Sequence, residues 1–525
     1  MTFTEKNNIS KIIFSSSLGT LIEWYDFYIF GSLATVISQQ FFPAGLGTAA
    51  LLSTLAIFAA GFIVRPFGAL VFGRIGDMVG RKYTFLLTLV LMGGSTFLIG
   101  LVPGYRSIGV FAPILVLMLR LVQGLALGGE YGGAATYVAE HSPPNRRGYF
   151  TSWIQTTATL GLFVSLGVIL FTKKSMSNED FNAEWGGWRY PFWLSIILVI
   201  VSIYIRMRMS ESPIFAKLKT EGKTSLNPLK ESFGNKKNLK MVLLALFGAV
   251  MGQGVIWYTG QFYAQSFLEN AVKIEFSQNR EIVLWAIALA TPFFLVFGAL
   301  SDRIGRKWIM MTGMLLGVLF YRPIFKSFIR NADADLWMTH IKKESTTIQT
   351  AVQEKYRVVQ SDTVRIKDDP SRLIVRSKEV YQYQGNSFAR VRNDTLLVMT
   401  GGVQTTILRD SKPAFQDKVL SPTLKIKFIS LVWVMIIFVT MVYGPIAAFL
   451  VELFPTRIRY TSMSLPYHIG NGVFGGLVPF IATLITTFKG SSLLGGLWYP
   501  IGVAGVCFLI GCIYLPNRND DIIDD

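Results

Sequence analysis

Long apolar stretches recur about twelve times along the 525 residues, and few folds can accommodate so many. Each has roughly 18 or more mostly apolar residues, enough for a helix to cross a hydrocarbon core of about 30 Å. A mean hydropathy of +0.44 with only 16% charged residues argues against a soluble protein. We predict membrane spans 1 to 12 near residues 13–41, 50–72, 83–102, 108–138, 150–172, 188–207, 241–267, 282–300, 308–325, 428–450, 461–487 and 494–515.

The cations favour one orientation of these spans. The amino-terminal segment has no small-residue cleavage site, so we interpret span 1 as a retained helix. With that terminus in the cytoplasm, the short inner segments carry 22 Lys and Arg against 7 on the short outer ones. This asymmetry predicts a multi-pass protein of the bacterial inner membrane with both termini cytoplasmic. We attribute the net charge of +18 largely to cations that anchor the cytoplasmic side of the spans, and we therefore expect no nucleic-acid partner.

Two patterns occur once in each half of the chain, at matching places in the order of spans. The loop after span 2 contains Gly73, Asp77, Gly80 and Arg81, and its copy after span 8 contains Gly298, Asp302, Gly305 and Arg306. The segment after span 4 contains Glu140 and Arg147, and its copy after span 10 contains Glu452 and Arg459. Such a repeat predicts two pseudo-symmetric six-helix bundles.

The repeated loops have a physical logic. Glycines allow a tight turn, while the aspartate can pair with arginines and cap the amino end of a neighbouring helix. We therefore predict gating roles for the repeated residues. The alternative, a positive-inside anchor, explains the cations but not the fixed spacing of aspartate and glycine.

The second half is longer than the first by an insertion. Asp77 and Glu140 are 63 residues apart, whereas Asp302 and Glu452 are 150 apart. Within 326–427, apolar and polar residues alternate between turn dipeptides, which predicts a small β-rich extracytoplasmic module. A disordered loop is the alternative, although the segment is rich in β-branched and aromatic residues.

The predicted domains follow from this spacing. They are an amino-terminal bundle over 1–205, a cytoplasmic connector over 206–240, spans 7 to 9 over 241–325, the module over 326–427, and the remaining spans with a tail over 428–525.

Few residues suit a metal site or a disulfide framework. The chain has two cysteines and three histidines, which are scattered, and it lacks a phosphate-binding loop. We therefore expect no metal, no cofactor and no enzymatic activity.

Ionisable residues inside membrane spans are costly and point to a pathway or an ion pair. Glu23 and Asp26 lie three residues apart on span 1 and share roughly one helix face. Either is a candidate proton carrier, and the alternative for each is a permanent ion pair with an arginine. Arg65 and Arg120 are the cations placed well inside the spans, and each can hold an anionic substrate group or pair with a span 1 acid.

Polar and aromatic residues of spans 7 and 11 complete the candidate binding groups: Gln253, Trp257, Tyr258, Gln261, Tyr467 and Asn471. They offer hydrogen bonds and ring faces that can receive a quaternary ammonium. For any single aromatic, packing or an interfacial position remains the alternative. His468 is close by in sequence, and we place no mechanism on it.

Several motifs resemble the major facilitator superfamily, and in particular its metabolite:proton symporter branch. The repeated loop matches the family signature, with Met78 where an arginine is common, and Arg120-Leu-Val-Gln123-Gly124 matches a second pattern. Closer resemblance to the branch comes from four segments: Gly19-Thr-Leu-Ile-Glu23-Trp24-Tyr25-Asp26-Phe27-Tyr28, Arg65-Pro66-Phe67-Gly68, Gly128-Gly129-Glu130 and Glu211-Ser-Pro213-x-Phe215.

The resemblance implies an all-α membrane protein, with twelve transmembrane helices in the major facilitator fold and a small β-rich insertion. It implies that Arg120 belongs to proton coupling, which leaves Arg65 as substrate anchor, with Tyr25 among the binding groups. We predict proton-coupled uptake of a small organic acid or zwitterion by alternating access. A proton-coupled exporter and a membrane sensor with a ligand-binding outer module are the alternatives. The expected partners are substrate, protons and the lipid bilayer, with an envelope partner for the module; the oligomeric state is left open.

Overall fold

The structure is a computed structural model of the chain. It describes these residues: 17, 20–43, 45–79, 81–129, 135, 138–139, 142–207, 230, 233–347, 356–366, 369–398, 405–408, 414–454, 459–488 and 490–516.

Each predicted span contains helix. Within the described parts of the chain, ten helical segments are long and apolar enough to cross a membrane: Thr48–Phe72, Phe111–Gly128, Arg147–Lys174, Gly187–Tyr204, Lys236–Asn270, Phe276–Ile304, Arg306–Lys343, Pro422–Leu453, Thr461–Thr487 and Gly495–Tyr514. Residues 20–41, broken by one turn at Leu33, and the helix Arg81–Ile99 supply spans 1 and 3. The expected helical architecture with twelve spans is therefore present.

Several spans consist of more than one α-helix, separated by a break in the helix or by a turn of another helix type. Their bounds in spans 1 to 6 are Ala34–Phe41, Thr48–Ile63, Arg65–Val79, Arg81–Ile99, Phe111–Gly128, Arg147–Lys174 and Tyr190–Met207. In spans 7 to 12 they are Lys236–Ala245, Met251–Tyr258, Ala264–Asn270, Phe276–Ala290, Pro292–Ile304, Arg306–Asn331, Pro422–Tyr443, Ile446–Leu453, Arg459–Tyr467, Val478–Thr487 and Trp498–Tyr514.

Spans 7 and 11 contain π-helical turns, an uncommon helix type that is frequent at functional sites. Span 7 has two, Leu246–Val250 and Thr259–Tyr263, and span 11 has one, His468–Gly475. The two spans pack closely, since a Cβ added to Gly254 would lie 2.6 Å from the Gly470 carbonyl oxygen. Small residues at such crossings let membrane helices approach backbone to backbone.

By its contacts the chain divides into two units. The first comprises 1–264, 284–322 and 432–525, and contains most of the membrane helices. The second comprises 265–283 and 323–431, and contains the β-rich segment with the adjoining helix ends.

The second unit is built on an antiparallel sheet. Its strands are β1 (Tyr356–Ile366), β2 (Asp369–Tyr383), β3 (Asn386–Val398), β4 (Thr405–Leu408) and β5 (Ala414–Val419). They pair in the order β1-β2-β3-β4, and β5 also pairs with β3. The hairpin between β2 and β3 turns at Gln384 and Gly385, both with positive φ, and Tyr383 lies opposite Asn386. Asn386 then accepts a hydrogen bond from the Ser421 amide, at 2.7 Å.

Helix also occupies both ends of the segment 326–427. Arg306–Asn331 continues past the predicted end of span 9, Ala334–Thr347 follows it, and Pro422 begins the helix of span 10. Trp337 packs on Phe388, with ring centroids 5.6 Å apart, and this joins the helix Ala334–Thr347 to the sheet.

Buried Lys418 connects strand β5 to two neighbouring segments through its backbone and its side chain. The Lys418 amide donates to the Lys273 carbonyl at 2.9 Å, and its ammonium donates to the Ala332 carbonyl at 2.6 Å. Burial lowers the pKa of Lys418 to about 8, although Asp333 and Asp335 oppose that change. The module is therefore held by direct hydrogen bonds to the segments that follow the helices of spans 7 and 9.

Candidate functional site

The acids of span 1 are buried within the first unit. Glu23 is 2% exposed and Asp26 is fully buried. Among the described residues, neither carboxylate oxygen of Asp26 has a hydrogen-bond partner of normal geometry, although Ser195 approaches from span 6. A Cβ added to Gly93 of span 3 would lie 3.2 Å from Asp26 Oδ2. Asp26 therefore faces spans 3 and 6 of its own bundle.

Gln123 connects Arg120 to the backbone of span 1. Arg120 Nη1 donates to the Gln123 side-chain oxygen. The Gln123 amide nitrogen donates to Thr96 Oγ1 at 2.7 Å and to the Asp26 carbonyl at 3.2 Å. Gln123 belongs to the second family pattern, but its role as a connector required the tertiary contacts with spans 1 and 3.

Aromatic rings surround both buried guanidinium groups. The Arg65 guanidinium lies 4.3 Å from the Phe62 ring centroid and 5.6 Å from that of Trp24. Arg120 lies 4.7 Å from the Phe30 centroid and 5.0 Å from that of Phe58. Phe27 serves both, because each guanidinium carbon is 4.4 Å from its centroid. Contacts of this kind contribute about 0.5–2 kcal/mol each.

Neither arginine is neutralised within the described residues. Arg65 is 2% exposed and Arg120 is fully buried, and neither forms an ion pair there. The Nε and Nη2 atoms of both are buried without hydrogen-bond partners. Buried charges are normally paired, since burial of an unpaired charge is costly. The region is thus strongly attractive to an anion. The alternative of a permanent ion pair with Asp26 is absent from this conformation.

The predicted amides of spans 7 and 11 lie together. Asn471 donates to Gln253 Oε1 at 2.9 Å, which leaves Gln253 Nε2 buried without a partner in the described chain. Gln261 reaches span 5 with a long hydrogen bond of 3.4 Å to Thr159 Oγ1. These contacts join spans 7 and 11 of one half and reach span 5 of the other.

The aromatic residues of span 7 meet spans 1 and 2 at the seam between the halves. Trp257 stacks on Tyr28, with centroids 5.5 Å apart, and lies 6.4 Å from Trp24. Tyr258 packs against Phe62 at 5.1 Å. The structure thus brings the predicted Trp257 and Tyr258 to the rings around Arg65.

Span 11 adds two further polar side chains. The Tyr467 hydroxyl forms a hydrogen bond of 2.8 Å with the Tyr443 hydroxyl of span 10. His468 is 2% exposed, and within the described residues neither ring nitrogen has a partner of normal geometry. Tyr443 was missed by the sequence reasoning, because a tyrosine in an apolar span carries no pattern that distinguishes it from packing.

Tyr25 lies elsewhere. Its hydroxyl donates to the Pro191 carbonyl of span 6 at 3.0 Å, inside the amino-terminal bundle. The structure does not bring this hydroxyl to the groups that face the seam. Tyr28, one turn further along span 1, stacks on Trp257 instead, and its hydroxyl is buried.

A second group of charged residues comes from the repeated loops; we call Arg147, Asp302, Arg306 and Glu452 the repeat-loop cluster. Arg306 Nε and Nη2 bind the two oxygens of Glu452, and Arg306 Nη1 lies 2.9 Å from Asp302 Oδ1. Arg147 Nη1 completes the cluster at 4.0 Å from Glu452. This bidentate geometry is the strongest form of arginine–carboxylate pairing.

Asp302 also caps a helix of the other half. Its two carboxylate oxygens accept hydrogen bonds from the Gly148 and Tyr149 amides, at 2.7 and 2.9 Å. Those amides belong to the first turn of Arg147–Lys174, whose N–H groups have no partner within their own helix. The aspartate therefore pairs with arginine and caps a neighbouring helix, as its position in the repeat predicts.

Glycines permit this approach. A Cβ on Gly148 would lie 2.5 Å from the Gly298 carbonyl oxygen, so spans 5 and 8 touch backbone to backbone. Gly305 ends its helix at φ +97°, a conformation that favours glycine.

Arg459 is the counterpart of Arg147 in the second copy of the repeat. Its Nε donates a hydrogen bond to the Phe454 carbonyl at 3.1 Å.

Several predicted gating residues cannot be assigned a position in the cluster. Gly80 and Glu140 lie outside the described residues, as do the side chains of Gly73, Asp77 and Arg81. Their roles stay predictions.

Comparison with known proteins agrees with this architecture. The family model described as "Sugar (and other) transporter" matches residues 12–242. An inner membrane metabolite transport protein of Escherichia coli, YhjE, is 38% identical over 61% of this chain and 72% of its own length. This chain belongs to the metabolite transporter branch of the major facilitator superfamily. It is therefore a multi-pass secondary transporter rather than an enzyme.

Other members of the superfamily extend the comparison. An α-ketoglutarate permease of E. coli is 35% identical over 60% of this chain and 71% of its own length. A putative metabolite transport protein of Haemophilus influenzae is 29% identical over 99% of this chain and 96% of its own length. The solved structure of a D-xylose–proton symporter covers 97% of this chain with a TM-score of 0.59 at 15% identity, which confirms the fold.

Proposed function

We propose that this transporter takes up a small organic acid or zwitterion together with protons, by alternating access. The observation that carries the proposal is the pair of buried arginines, Arg65 and Arg120, whose Nε and Nη2 groups lack hydrogen-bond partners within the described chain. Buried polar groups in native proteins are nearly always hydrogen-bonded, so unpartnered ones indicate that a ligand binds there. A carboxylate supplies both the charge and the paired oxygens that guanidinium accepts.

Arg65 is the proposed substrate anchor because it lies at the seam. Its guanidinium is close to Phe62 and Trp24, whose rings contact Tyr258 and Trp257 of the other half. A substrate held by Arg65 therefore touches both halves of the protein. Such a position is what alternating access requires, since the halves rock around a bound substrate.

Asp26 is the proposed proton carrier. An ionised carboxylate without hydrogen-bond donors is costly in a buried site, and protonation removes that cost. Gln123 forms hydrogen bonds with both the Asp26 backbone carbonyl and Arg120. Movement of Asp26 on protonation would therefore shift the hydrogen-bond partner of Arg120. Glu23, three residues before Asp26, is the second candidate. One charge crossing 100 mV gains about 2.3 kcal/mol, enough to drive accumulation.

The repeat-loop cluster is the proposed gate. Asp302 caps the first turn of span 5, and Arg147 of span 5 lies 4.0 Å from Glu452, so the cluster joins the two halves. In the proposed topology, with both termini cytoplasmic, the cluster lies on the cytoplasmic side. Opening to the cytoplasm then requires the bonds between the halves to break, namely those of Asp302 with the Gly148 and Tyr149 amides and that of Arg147 with Glu452, and closing reforms them.

Relatives support the class of substrate. The proline/betaine transporter of E. coli, 32% identical over 62% of this chain, carries zwitterions by its name, and the α-ketoglutarate permease carries an acid. The match spans 66% of the proline/betaine transporter, so its substrates remain proposals for this chain.

Uptake into proteoliposomes tests the proposal. Asp26→Asn should abolish accumulation driven by a pH gradient while exchange of internal for external substrate continues, because exchange needs no net proton movement. Asp417→Asn, at an exposed acid of the module, is the matched control and should behave like the wild type. Retention of gradient-driven accumulation by both Asp26→Asn and Glu23→Gln would overturn the carboxylate mechanism, and outward flux under the same gradient would indicate an exporter.

For the module over 326–427 we propose an accessory role toward an envelope component. The same assay on a chain that lacks 330–425 tests this, because an accessory module leaves measurable flux. A chain that shows no flux with or without the module, yet binds ligand through it, would be a sensor instead.

A further inference from the structure

The aromatic faces next to the proposed substrate anchor already hold cations. Arg65 lies over Trp24, Phe27 and Phe62, and Arg120 lies over Phe27 and two further rings. Trp24 also stacks on Tyr28 at 5.0 Å, and Tyr28 stacks on Trp257. A quaternary ammonium placed on these rings would meet two like charges, which is unfavourable in a buried site.

The carboxyl-terminal half supplies a different set of groups, an amide, an indole and an imidazole. We define the polar pole as Gln253, Trp257 and His468, which all lie on spans 7 and 11. Gln253 Nε2 and Trp257 Nε1 are buried and have no partner within the described residues, and His468 is buried close to the Gly128 carbonyl without a hydrogen bond of normal geometry. Their residues are 0%, 3% and 2% exposed. The pole offers mainly N–H donors, which are suited to oxygen acceptors.

Two members of the polar pole, Trp257 and His468, lie near Arg65 at the seam between the halves. Arg65 interacts electrostatically with His468, and likewise with Tyr443 and Tyr467, the tyrosine pair next to it. Trp257 lies 6.4 Å from both the Trp24 and the Tyr443 rings. Trp257 and His468 therefore lie near the anchor, which is contributed by spans 1 and 2, while the pole belongs to spans 7 and 11.

We propose that the polar pole binds a second oxygen-bearing group of the substrate, a keto, hydroxyl or further carboxyl group, while Arg65 holds the first carboxylate. The substrate is then a bifunctional organic acid rather than an N-methylated zwitterion. This inference rests on the proposed function and narrows it. The physical reason is that a site with unpaired donors in both the anchor and the pole discriminates against a ligand lacking the matching acceptors.

A panel of labelled acids tests the inference in proteoliposomes that contain the full chain. Malate and 2-oxoglutarate carry a second oxygen group, propionate lacks one, and glycine betaine carries an ammonium in its place. We expect proton-driven uptake with kcat/KM at least about tenfold higher for malate or 2-oxoglutarate than for propionate or glycine betaine, the effect of one or two lost hydrogen bonds. Equal or better uptake of glycine betaine would overturn the inference and leave the proposed function intact. Absence of gradient-driven uptake for every acid would overturn both.

Variants of the pole separate recognition from folding. His468→Phe and Gln253→Leu should raise KM for the preferred bifunctional acid about tenfold and leave the KM of propionate unchanged, so selectivity is lost. His468→Asn, which keeps hydrogen-bonding capacity, should recover part of the selectivity. His340→Phe, at an exposed histidine of the module, is the matched control. A purely structural role for His468 would lower uptake of both acids by the same factor and would contradict the proposal.

Discussion

Arginines occur both in the repeat-loop cluster and at the centre of the spans, but among the described residues only those of the cluster are paired with carboxylates. In the cluster, Arg306 binds both oxygens of Glu452 and also pairs with Asp302. At the centre of the spans, Arg65 and Arg120 have only ring faces and one amide oxygen as described partners. Paired charges stabilise a contact between two helices, whereas unpaired buried charges raise the affinity for an ion from outside. The number of partners, rather than the residue type, separates the proposed gate from the proposed binding site.

The exposure of the side chains also differs between the repeat-loop cluster and the buried arginines. Glu452 is 15% exposed in its side chain, and its partners Arg306 and Arg147 are 2% and 19% exposed. Water therefore screens the outer members of the cluster, so breaking it costs only moderate free energy. Arg120 and Asp26, by contrast, are fully buried. A gate must open in each cycle, while a binding site must discriminate, and the two environments match those needs.

Loss of the central guanidinium geometry should have the largest effect. Arg65→Lys keeps a positive charge but removes the planar fork and its stacking on Phe62. We expect kcat/KM for proton-driven uptake to fall roughly 100-fold, the value of one or two charge-assisted hydrogen bonds. Arg322→Lys is the matched control, because Arg322 stacks on the exposed Trp498 and should tolerate the change. Normal uptake by Arg65→Lys would show that charge alone suffices.

Removing one carboxylate of the cluster should have an intermediate effect. Glu452→Gln removes the pair with Arg147 of the other half and leaves Arg306 with Asp302 only, so Arg306 competes with the Gly148 and Tyr149 amides for that carboxylate. We expect the closed state to be weakened by about 1–3 kcal/mol, below the cost for a fully buried pair. Alkylation of Ser301→Cys, with Cys507 and Cys512 replaced by alanine, reports opening at this seam, since Ser301 is 1% exposed. We expect alkylation roughly tenfold faster than in the Glu452 parent, because 1.4 kcal/mol corresponds to a factor of ten.

The matched control for that experiment is Glu379→Gln in the module, where the pair with Arg390 is 3.8 Å long and well exposed. Its alkylation rate should equal that of the parent. An unchanged rate in Glu452→Gln would mean that the cluster does not hold the halves together.

The outermost member of the cluster should matter least. Arg147 lies 4.0 Å from Glu452 and is 19% exposed, so the pair resembles a surface salt bridge worth up to about 1 kcal/mol. Arg147→Gln should speed alkylation by less than about fivefold, and added salt should reduce the difference. If Arg147→Gln raised the alkylation rate as much as Glu452→Gln does, the strength of each contact in the cluster would not follow its number of partners and its burial.

Much of the fold could be predicted because membrane insertion and internal repetition leave strong signals. The twelve spans are long apolar runs, and the copy containing Asp302 and Arg306 predicted a paired, helix-capping aspartate. Helix continues to Asn331, past the predicted end of span 9 at 325, with Pro323 inside it. The polar residues there ended the apolar pattern without ending the helix.

The candidate site was predicted only in part, because partner counts depend on contacts between distant spans. Sequence spacing placed Glu23 and Asp26 on one face, but it could not tell that Asp26 points toward Gly93 and Ser195. Nor could it show that aromatic rings would cover both arginines. Tyr25 and Tyr28 occur in the same motif, and only packing separates the hydroxyl bound to Pro191 from the ring stacked on Trp257.

The position of Phe27 has a mechanical consequence. The single Phe27 ring, whose centroid lies 4.4 Å from each guanidinium carbon, interacts with two positive charges. When a ligand anion draws Arg65 off this ring, the ring becomes a better neighbour for Arg120. Through this uncharged ring, occupancy of the proposed substrate anchor would thereby influence the proposed coupling arginine.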